Sequence, residues 1–473
     1  MRIRSSASLA IEDSAAAMAS TPGKDTRLLP YLLNLLYLAA WLVIAPWLLL
    51  RKKPMRGMKA KWLGRVGPLA GRSGSEIRPV VWFHGVSVGE IHLLRQVVAR
   101  FRQRFPEWQC VVSTTTNTGY DEACKHFSDV PVIWWPFDFT WAVNAALRTV
   151  RPSLVVLSEG EVWPNFLAAA KKQGVKLALI NGRMSPRSAR RFQSFRWLLA
   201  NVFGKLDLIG AQSDEYREHY QSLGPTHVVT TGNIKYDGVN VDRHNAKTEA
   251  MRTLLGISSD ALVWVAGSTQ APEESFALEI YRRARVQHPK LRLILVPRHP
   301  ERFDEVGELL ERSGLPFVRR SRLEPGRPSP PAPLPEGEGR NAVVLVDTIG
   351  ELGAIWGLAD IAFVGGSLDG KRGGQNMIEP SAYGAAVVFG PHTWNFKQTV
   401  GDLLSCEAAI QVQDAVALEA AVLRLLDDAS KRQRLGEAAR AFVLSQQGAT
   451  GRTLDELQKL MSRDPAAFRL RAS

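Results

Sequence analysis

The sequence predicts an α/β protein of two doubly wound, parallel-sheet domains behind an apolar N-terminal helix. Three observations carry this. Short, β-rich apolar runs alternate with longer helical patterns from residue 79 onward, as expected of parallel strands covered by helices on both faces. The alternation comes as two series, separated by a polar stretch at Asp237–Thr253. Leu28–Leu50 contains no charged residue. The 473-residue length suits two or three domains. With 45% hydrophobic and 22% charged residues, a disordered or collagen-like chain is excluded. A mean hydropathy of -0.10 excludes a polytopic membrane protein.

Residues 1–27 form a tail, and 28–50 a candidate membrane anchor. As a helix Leu28–Leu50 spans about 35 Å, enough for a hydrocarbon core of about 30 Å. Tyr31, Trp41 and Trp47 suit interfacial positions. The following flank, RKKPMRGMKAKWLGR, is far more basic than the preceding one. It therefore places the bulk of the chain on the cytoplasmic side of a single-pass anchor, with the basic stretch against anionic head groups. A cleaved signal peptide is the rival reading, but the apolar run is too long for one and no small-residue cleavage site follows. A hairpin or monotopic segment is the second alternative, since Pro30, Asn34 and Pro46 interrupt the run.

The first domain is expected over 51–240, with strands near 79–83, 109–113, 131–135, 154–157, 175–180, 206–210 and 227–230. Between the first two lies a helix, Glu90–Phe105, with Ile91, Leu94, Val97, Val98 and Phe101 on one face. The second domain is expected over 250–460, with strands in LVWVAGS, LRLILVP, AVVLVD, IAFVGG and AVVFG, and helices from Ala415 to Met461. Ser321–Arg340 is rich in Pro, Gly and charge and reads as a flexible insert. Cys110, Cys124 and Cys406 lack the spacing of a disulfide framework or a zinc site. The net charge of +14 and pI near 9.8 favour nucleic acid, an anionic membrane face or a phosphorylated substrate. No nucleic-acid motif is present.

Ligands of doubly wound sheets bind beyond the carboxyl ends of the strands. There the first strand runs into His84-Gly-Val-Ser-Val-Gly-Glu90. Glu90 is either a helix-start carboxylate or a group that takes a proton from a substrate hydroxyl. The turn Ser113–Gly119 offers hydroxyls, and Ser158-Glu-Gly-Glu161 offers two carboxylates, Glu159 and Glu161. Arg187, Arg190, Arg191 and Arg196 form either a solvated face or a grip on anionic lipid. In the second series Gly267-Ser268-Thr269 and Gly365-Gly366-Ser367 end strands, and Arg298 suits a phosphate or carboxylate. Gly373-Gly374 leads to Asn376 and Glu379, three apart on one helix face, where a carboxylate could accept both ribose hydroxyls. Together these point to a nucleotide-binding second domain.

The ordered blocks HGVSVGE, STTTNTG, EGEVWPN, NGRMS, GNIKYD, AGST…EE, PRHPERF, GELGAIWGLADIAFVGGSL, GGQNMIEP and GPHTWNF resemble those of the 3-deoxy-D-manno-octulosonic acid (Kdo) transferases of lipopolysaccharide synthesis. The resemblance covers roughly residues 30 to 450. It implies a GT-B enzyme, with two Rossmann-like domains facing a central cleft. The N-terminal one would take the acceptor and the C-terminal one the nucleotide-sugar donor. It implies transfer of Kdo from CMP-Kdo to the lipid A precursor, with inversion, at the inner membrane, and with no metal or other cofactor.

By the same resemblance, Glu90 is the base, Glu159 and Glu161 lie by the reaction centre, and Lys235 stabilises charge. Arg298, His299, Ile349, Gly350, Glu351 and the run Asn376, Met377, Ile378 and Glu379 contact CMP, and Ser268, Thr269, Gly366 and Ser367 form a donor loop. The chain departs from the family at Gly160, at Gln270-Ala-Pro272 and at Gln375, where the family commonly has Thr, His-Glu-Gly and His. A GT-B transferase of another nucleotide sugar acting on a lipid acceptor is the alternative, and a catalytically inactive nucleotide-binding scaffold is the remaining one.

Overall fold

In the computed structural model the described residues are 28–50, 56–66, 78–194, 196–225, 227–323 and 342–462, without the side chains of 44–50, 186, 193 and 196–198. The 1–27 tail and almost all of the Pro-rich insert lie outside them. The chain divides into two compact units, one of 1–234 with 448–473 and one of 235–447.

The first unit holds seven strands: β1 (Val80–His84), β2 (Gln109–Thr114), β3 (Val132–Trp134), β4 (Leu154–Ser158), β5 (Lys176–Gly182), β6 (Leu208–Ala211) and β7 (Val228–Thr230). Their order is β3-β2-β1-β4-β5-β6-β7, and every pairing is parallel. β1 and β4 are buried along their whole length, which is why both read as unbroken apolar runs rather than alternating ones. The order reverses between β1 and β4, and a crevice opens at such a point. The helices on the two faces of the sheet cover separate apolar clusters. The last helix, Ala449–Ser462, belongs to this unit rather than to the second domain in which the sequence placed it. Its Leu454, Leu457 and Leu460 join the cluster of Leu94, Val97 and Phe101.

The second unit also has seven parallel strands: β8 (Leu262–Thr269), β9 (Leu291–Pro297), β10 (Phe317–Arg319), β11 (Val343–Leu345), β12 (Ile361–Val364), β13 (Ala386–Phe389) and β14 (Ala409–Gln411). Their order is β10-β11-β9-β8-β12-β13-β14. The sequence missed β10 and β14. Both are three-residue edge strands, too short and too exposed to show an apolar run.

Four helices precede or flank the first strands: α1 (Leu29–Leu50), α2 (Met58–Leu63), α3 (Val88–Arg104) and α4 (Asn117–His126). α1 forms where the uncharged run predicted a helix. Among the described residues no helix is long and apolar enough to cross a membrane. One side of α1 is docked on the first unit. Asn34 is buried, donates to the Thr140 hydroxyl at 2.8 Å, and accepts from Thr140 N–H at 3.1 Å and the Asn165 amide at 3.2 Å. The Tyr37 hydroxyl donates to Asp138 at 3.2 Å. Trp41, expected at a lipid interface, packs edge-on against Trp62 and Phe137, each with a centroid distance of 5.5 Å. On the other side Leu32, Leu35, Leu36, Leu42 and Val43 are exposed.

The basic flank is also partly turned inward. Lys61 is buried, donates to the Thr115 carbonyl at 2.8 Å and lies 4.2 Å from the Trp134 ring centroid. Burial pushes its pKa below the usual lysine value. Arg56 pairs with Asp121 at 2.6 Å. These two cations are engaged by protein, so the attraction to head groups expected of the whole flank does not extend to them.

Candidate functional site

In the first unit the site is built at the carboxyl ends of β1, β2 and β4. After β1, Ser87 caps α3 by accepting from Glu90 N–H at 3.4 Å, and the Glu90 side chain turns back over the cap. Its Oε1 accepts from the Ser87 hydroxyl at 3.0 Å, and its Oε2 from Val86 N–H at 3.0 Å. The Ser158 hydroxyl, at the end of β4, stands 2.7 Å from Oε2 and 2.9 Å from the His84 carbonyl oxygen. Gly85 makes this approach possible, since a Cβ there would lie 3.0 Å from Glu90 Cβ and Leu94 Cδ1. The turn after β2 braces the same loop. Thr114 and Thr116 donate to the Val86 carbonyl at 3.0 and 2.9 Å. Glu90 is thus a buried carboxylate fixed in one orientation by hydrogen bonds.

The pair after β4 meets it. Glu159 has φ +59° and Asn181, at the end of β5, has φ +52°, a left-handed conformation that costs on the order of 1–3 kcal/mol per residue and clusters at functional sites. Glu161 is half-buried, and its carboxyl is pushed up to about 7, first by burial and then by the charges of Glu90 and Glu159. The three carboxylates therefore form one electrostatic group. His84, which opens the motif, is buried against the Trp135 ring at a centroid distance of 3.9 Å. Burial lowers its pKa to about 3, so it is a neutral packing element. Arg187, Arg190 and Arg191 are exposed on the helix Pro186–Ser194. The side chain of Arg196 lies outside those described.

The second unit gathers the other predicted residues around β8, β9 and β12. Lys235 is its first residue and sits in the short turn Ile234–Tyr236. Ser268 has φ +55°. Thr269 Oγ1 and Gln270 Nε2 are buried with no hydrogen-bond partner, so both are available to a bound group. Arg298 is exposed just after β9, and its N–H bonds the Thr269 carbonyl at 3.1 Å. Ile349 is exposed, and Gly350, at φ +88°, would meet nothing within 4 Å with a Cβ added. The Asn376 amide donates to Glu379 at 3.0 Å and its carbonyl accepts from Ile378 N–H at 3.0 Å. Burial raises the Glu379 pKa. Met377 and Ile378 are core side chains, 0% and 2% exposed, so only their backbone can reach a ligand. The Gln375 amide stands 3.4 Å from where a Gly366 Cβ would be, which places it at the donor loop.

Three supports escaped the sequence reading. Glu273 is fully buried and accepts from four backbone N–H groups: Gln270 at 2.9 Å, Gly366 at 2.7 Å, Ser367 at 3.0 Å and Leu368 at 3.1 Å. It ties the loop after β8 to the loop after β12. Arg302 pairs with the buried Glu274 at 2.6 Å, which anchors the segment that carries Arg298 and His299. Glu351, expected at CMP, is paired with Arg320 at 2.6 Å.

Residues 60–238 match the family described as 3-deoxy-D-manno-octulosonic-acid transferase (kdotransferase). A 3-deoxy-D-manno-octulosonic acid transferase of Haemophilus influenzae is 34% identical over 388 residues, 81% of this chain and 88% of that protein. The chain belongs to the 3-deoxy-D-manno-octulosonic acid transferase family. It is a glycosyltransferase, and Kdo is the group it transfers. The transferase of Chlamydophila psittaci is 30% identical over 445 residues, 92% of this chain and 98% of that one. A glycosyltransferase structure from Rickettsia africae shares 14% identity with a TM-score of 0.52, covering 81% of this chain and 98% of that chain. It supports the two-domain α/β fold of GT-B type.

Proposed function

We propose that this transferase moves Kdo from CMP-Kdo to a hydroxyl of the lipid A precursor in lipopolysaccharide synthesis, with inversion at the anomeric carbon and without a metal ion. The observation that carries the reading is the Glu90 carboxylate, buried at the carboxyl end of β1 and held by Val86 N–H and Ser87. It is fixed and still has lone pairs to accept a proton. As the acceptor oxygen forms its bond to the anomeric carbon, its proton passes to Glu90. The bond from that carbon to the CMP phosphate oxygen breaks, and CMP leaves with the electron pair. Lys235 and Arg298 supply positive charge for the departing phosphate. Asn376 holds Glu379 in place to accept the ribose hydroxyls, and Thr269 and Gln270 offer their unpartnered groups to the donor.

The exposed face of α1 gives the enzyme residence at the cytoplasmic face of the inner membrane. Its docked face holds the first unit beside the lipid, and Arg187, Arg190 and Arg191 attract anionic head groups. The test is transfer by purified protein to lipid A precursor from CMP-Kdo, compared with a UDP-sugar, with and without chelator, reading the anomeric configuration of the product. Activity with the UDP-sugar alone, loss of activity in chelator or a retained configuration would each overturn part of this reading.

A further inference from the structure

α3 and α4 also bring together three metal-ligating side chains that the transfer reaction does not use. Glu122 and His126 are one turn apart on α4, and His92 faces outward on α3, where Glu90 and Ile91 face inward. Their donor atoms all lie within 4.8 Å of one another. Glu122 Oε1 is 2.7 Å from His126 Nε2 and 3.4 Å from His92 Nε2. We infer that these three residues bind a transition-metal ion of the zinc type, which cross-links the two helices.

The donor set selects the ion. Two imidazoles and a carboxylate are the three protein ligands of an open zinc site, with water in the fourth position. Bonds of about 2.0–2.1 Å in a tetrahedron need donor atoms about 3.4 Å apart; the Glu122–His92 separation is 3.4 Å and the Glu122–His126 separation, at 2.7 Å, is shorter. Magnesium and calcium call for oxygen-rich sets with several carboxylates. Here there is one carboxylate, and Arg95 and Lys125 add positive charge near His92. Imidazole-preferring ions such as zinc tolerate this better, because nitrogen ligation rather than net charge supplies their affinity.

The ion-free arrangement is already satisfied, since Glu122 lies within reach of both rings. The fold therefore does not depend on the ion, and occupancy follows its concentration. α3 starts from the loop that holds Glu90, and α4 starts from the turn after β2 that braces it, so an ion between the two helices ties the loop to its brace.

The experiment uses the full chain, stripped with chelator and titrated with zinc against a chromophoric competitor, with thermal melting alongside. One saturable zinc equivalent and a melting midpoint that rises with free zinc are expected, because a ligand of the folded state stabilises it by mass action. His126→Ala and Glu122→Gln each remove a ligand. Each should weaken binding by at least the roughly tenfold to hundredfold that outer-shell changes alone produce. Cobalt in place of zinc should give a tetrahedral visible spectrum that His126→Ala abolishes. Zinc bound equally well by wild type and His126→Ala, or an equal melting shift with magnesium, would overturn the assignment.

Discussion

Glu90→Gln separates catalysis from capping at a single position. The wild-type carboxylate accepts at Oε2 from Val86 N–H and at Oε1 from the Ser87 hydroxyl. A glutamine of the same shape keeps its carbonyl on Val86 N–H and turns its amide toward Ser87, whose hydroxyl rotates to accept. Every hydrogen bond to the carboxylate, the 2.7 Å contact from the Ser158 hydroxyl included, then meets a neutral amide, which costs about 1 kcal/mol per bond. The helix cap survives, so the protein should fold and bind CMP as the wild type does. What it loses is the proton acceptor. General-base assistance contributes about 10²- to 10⁴-fold, or about 2.7–5.5 kcal/mol at 1.36 kcal/mol per tenfold. Turnover should therefore fall by that factor while CMP affinity stays near that of wild type. The assay is initial-rate Kdo transfer at saturating donor, beside calorimetric titration with CMP and a melting curve. A glutamine variant that is as fast as wild type would refute the reasoning and leave Glu90 as a helix cap.

Glu379→Ala should leave the fold intact and weaken CMP about tenfold to a hundredfold, since a charged acceptor is worth about 1.5–3 kcal/mol; an unchanged calorimetric affinity counts against the ribose role. Glu273→Ala strands four buried N–H groups and should lower unfolding stability by at least about 2 kcal/mol, read as a shifted denaturant midpoint; an unchanged midpoint refutes the organising role. The Glu161 carboxyl is raised by burial toward 7, so its neutral form is favoured in the fold. Its contribution is present below pH about 4.5 and is lost as pH rises through 7. Glu161→Gln should therefore lose less melting temperature than wild type between pH 5 and 8. Identical slopes would sink that reading.

The strand ends were legible because glycine spacing, buried apolar runs and helix-start carboxylates are all local signals. Glu90, Ser87 and the Asn376–Glu379 pair each act within four residues of chain. Glu273 reads locally as one of two helix-start glutamates. Its partners at Gly366, Ser367 and Leu368 are 93–95 residues away, and only the adjacency of β8 and β12 reveals them. The basic flank misled for a related reason. Charge beside an apolar helix suggests lipid, but sequence does not show that Asp121, the Thr115 carbonyl and the Trp134 ring wait for Arg56 and Lys61. The last helix was legible as a helix from its period. Which sheet it covers was not, because both units offer an apolar face.

That last helix sets a timetable for synthesis. The second unit is one continuous stretch, 235–447, and can close as soon as it leaves the ribosome. The first unit has all its strands by Thr230, yet Leu94, Val97 and Phe101 wait for Leu454, Leu457 and Leu460. At about 5–20 residues per second, that wait is roughly 10–50 s. During it an apolar face of the nascent chain is open to any chaperone at the tunnel exit. A released chain truncated after residue 447 should accordingly be cut by protease in the first unit while the second resists, and the full chain should resist in both.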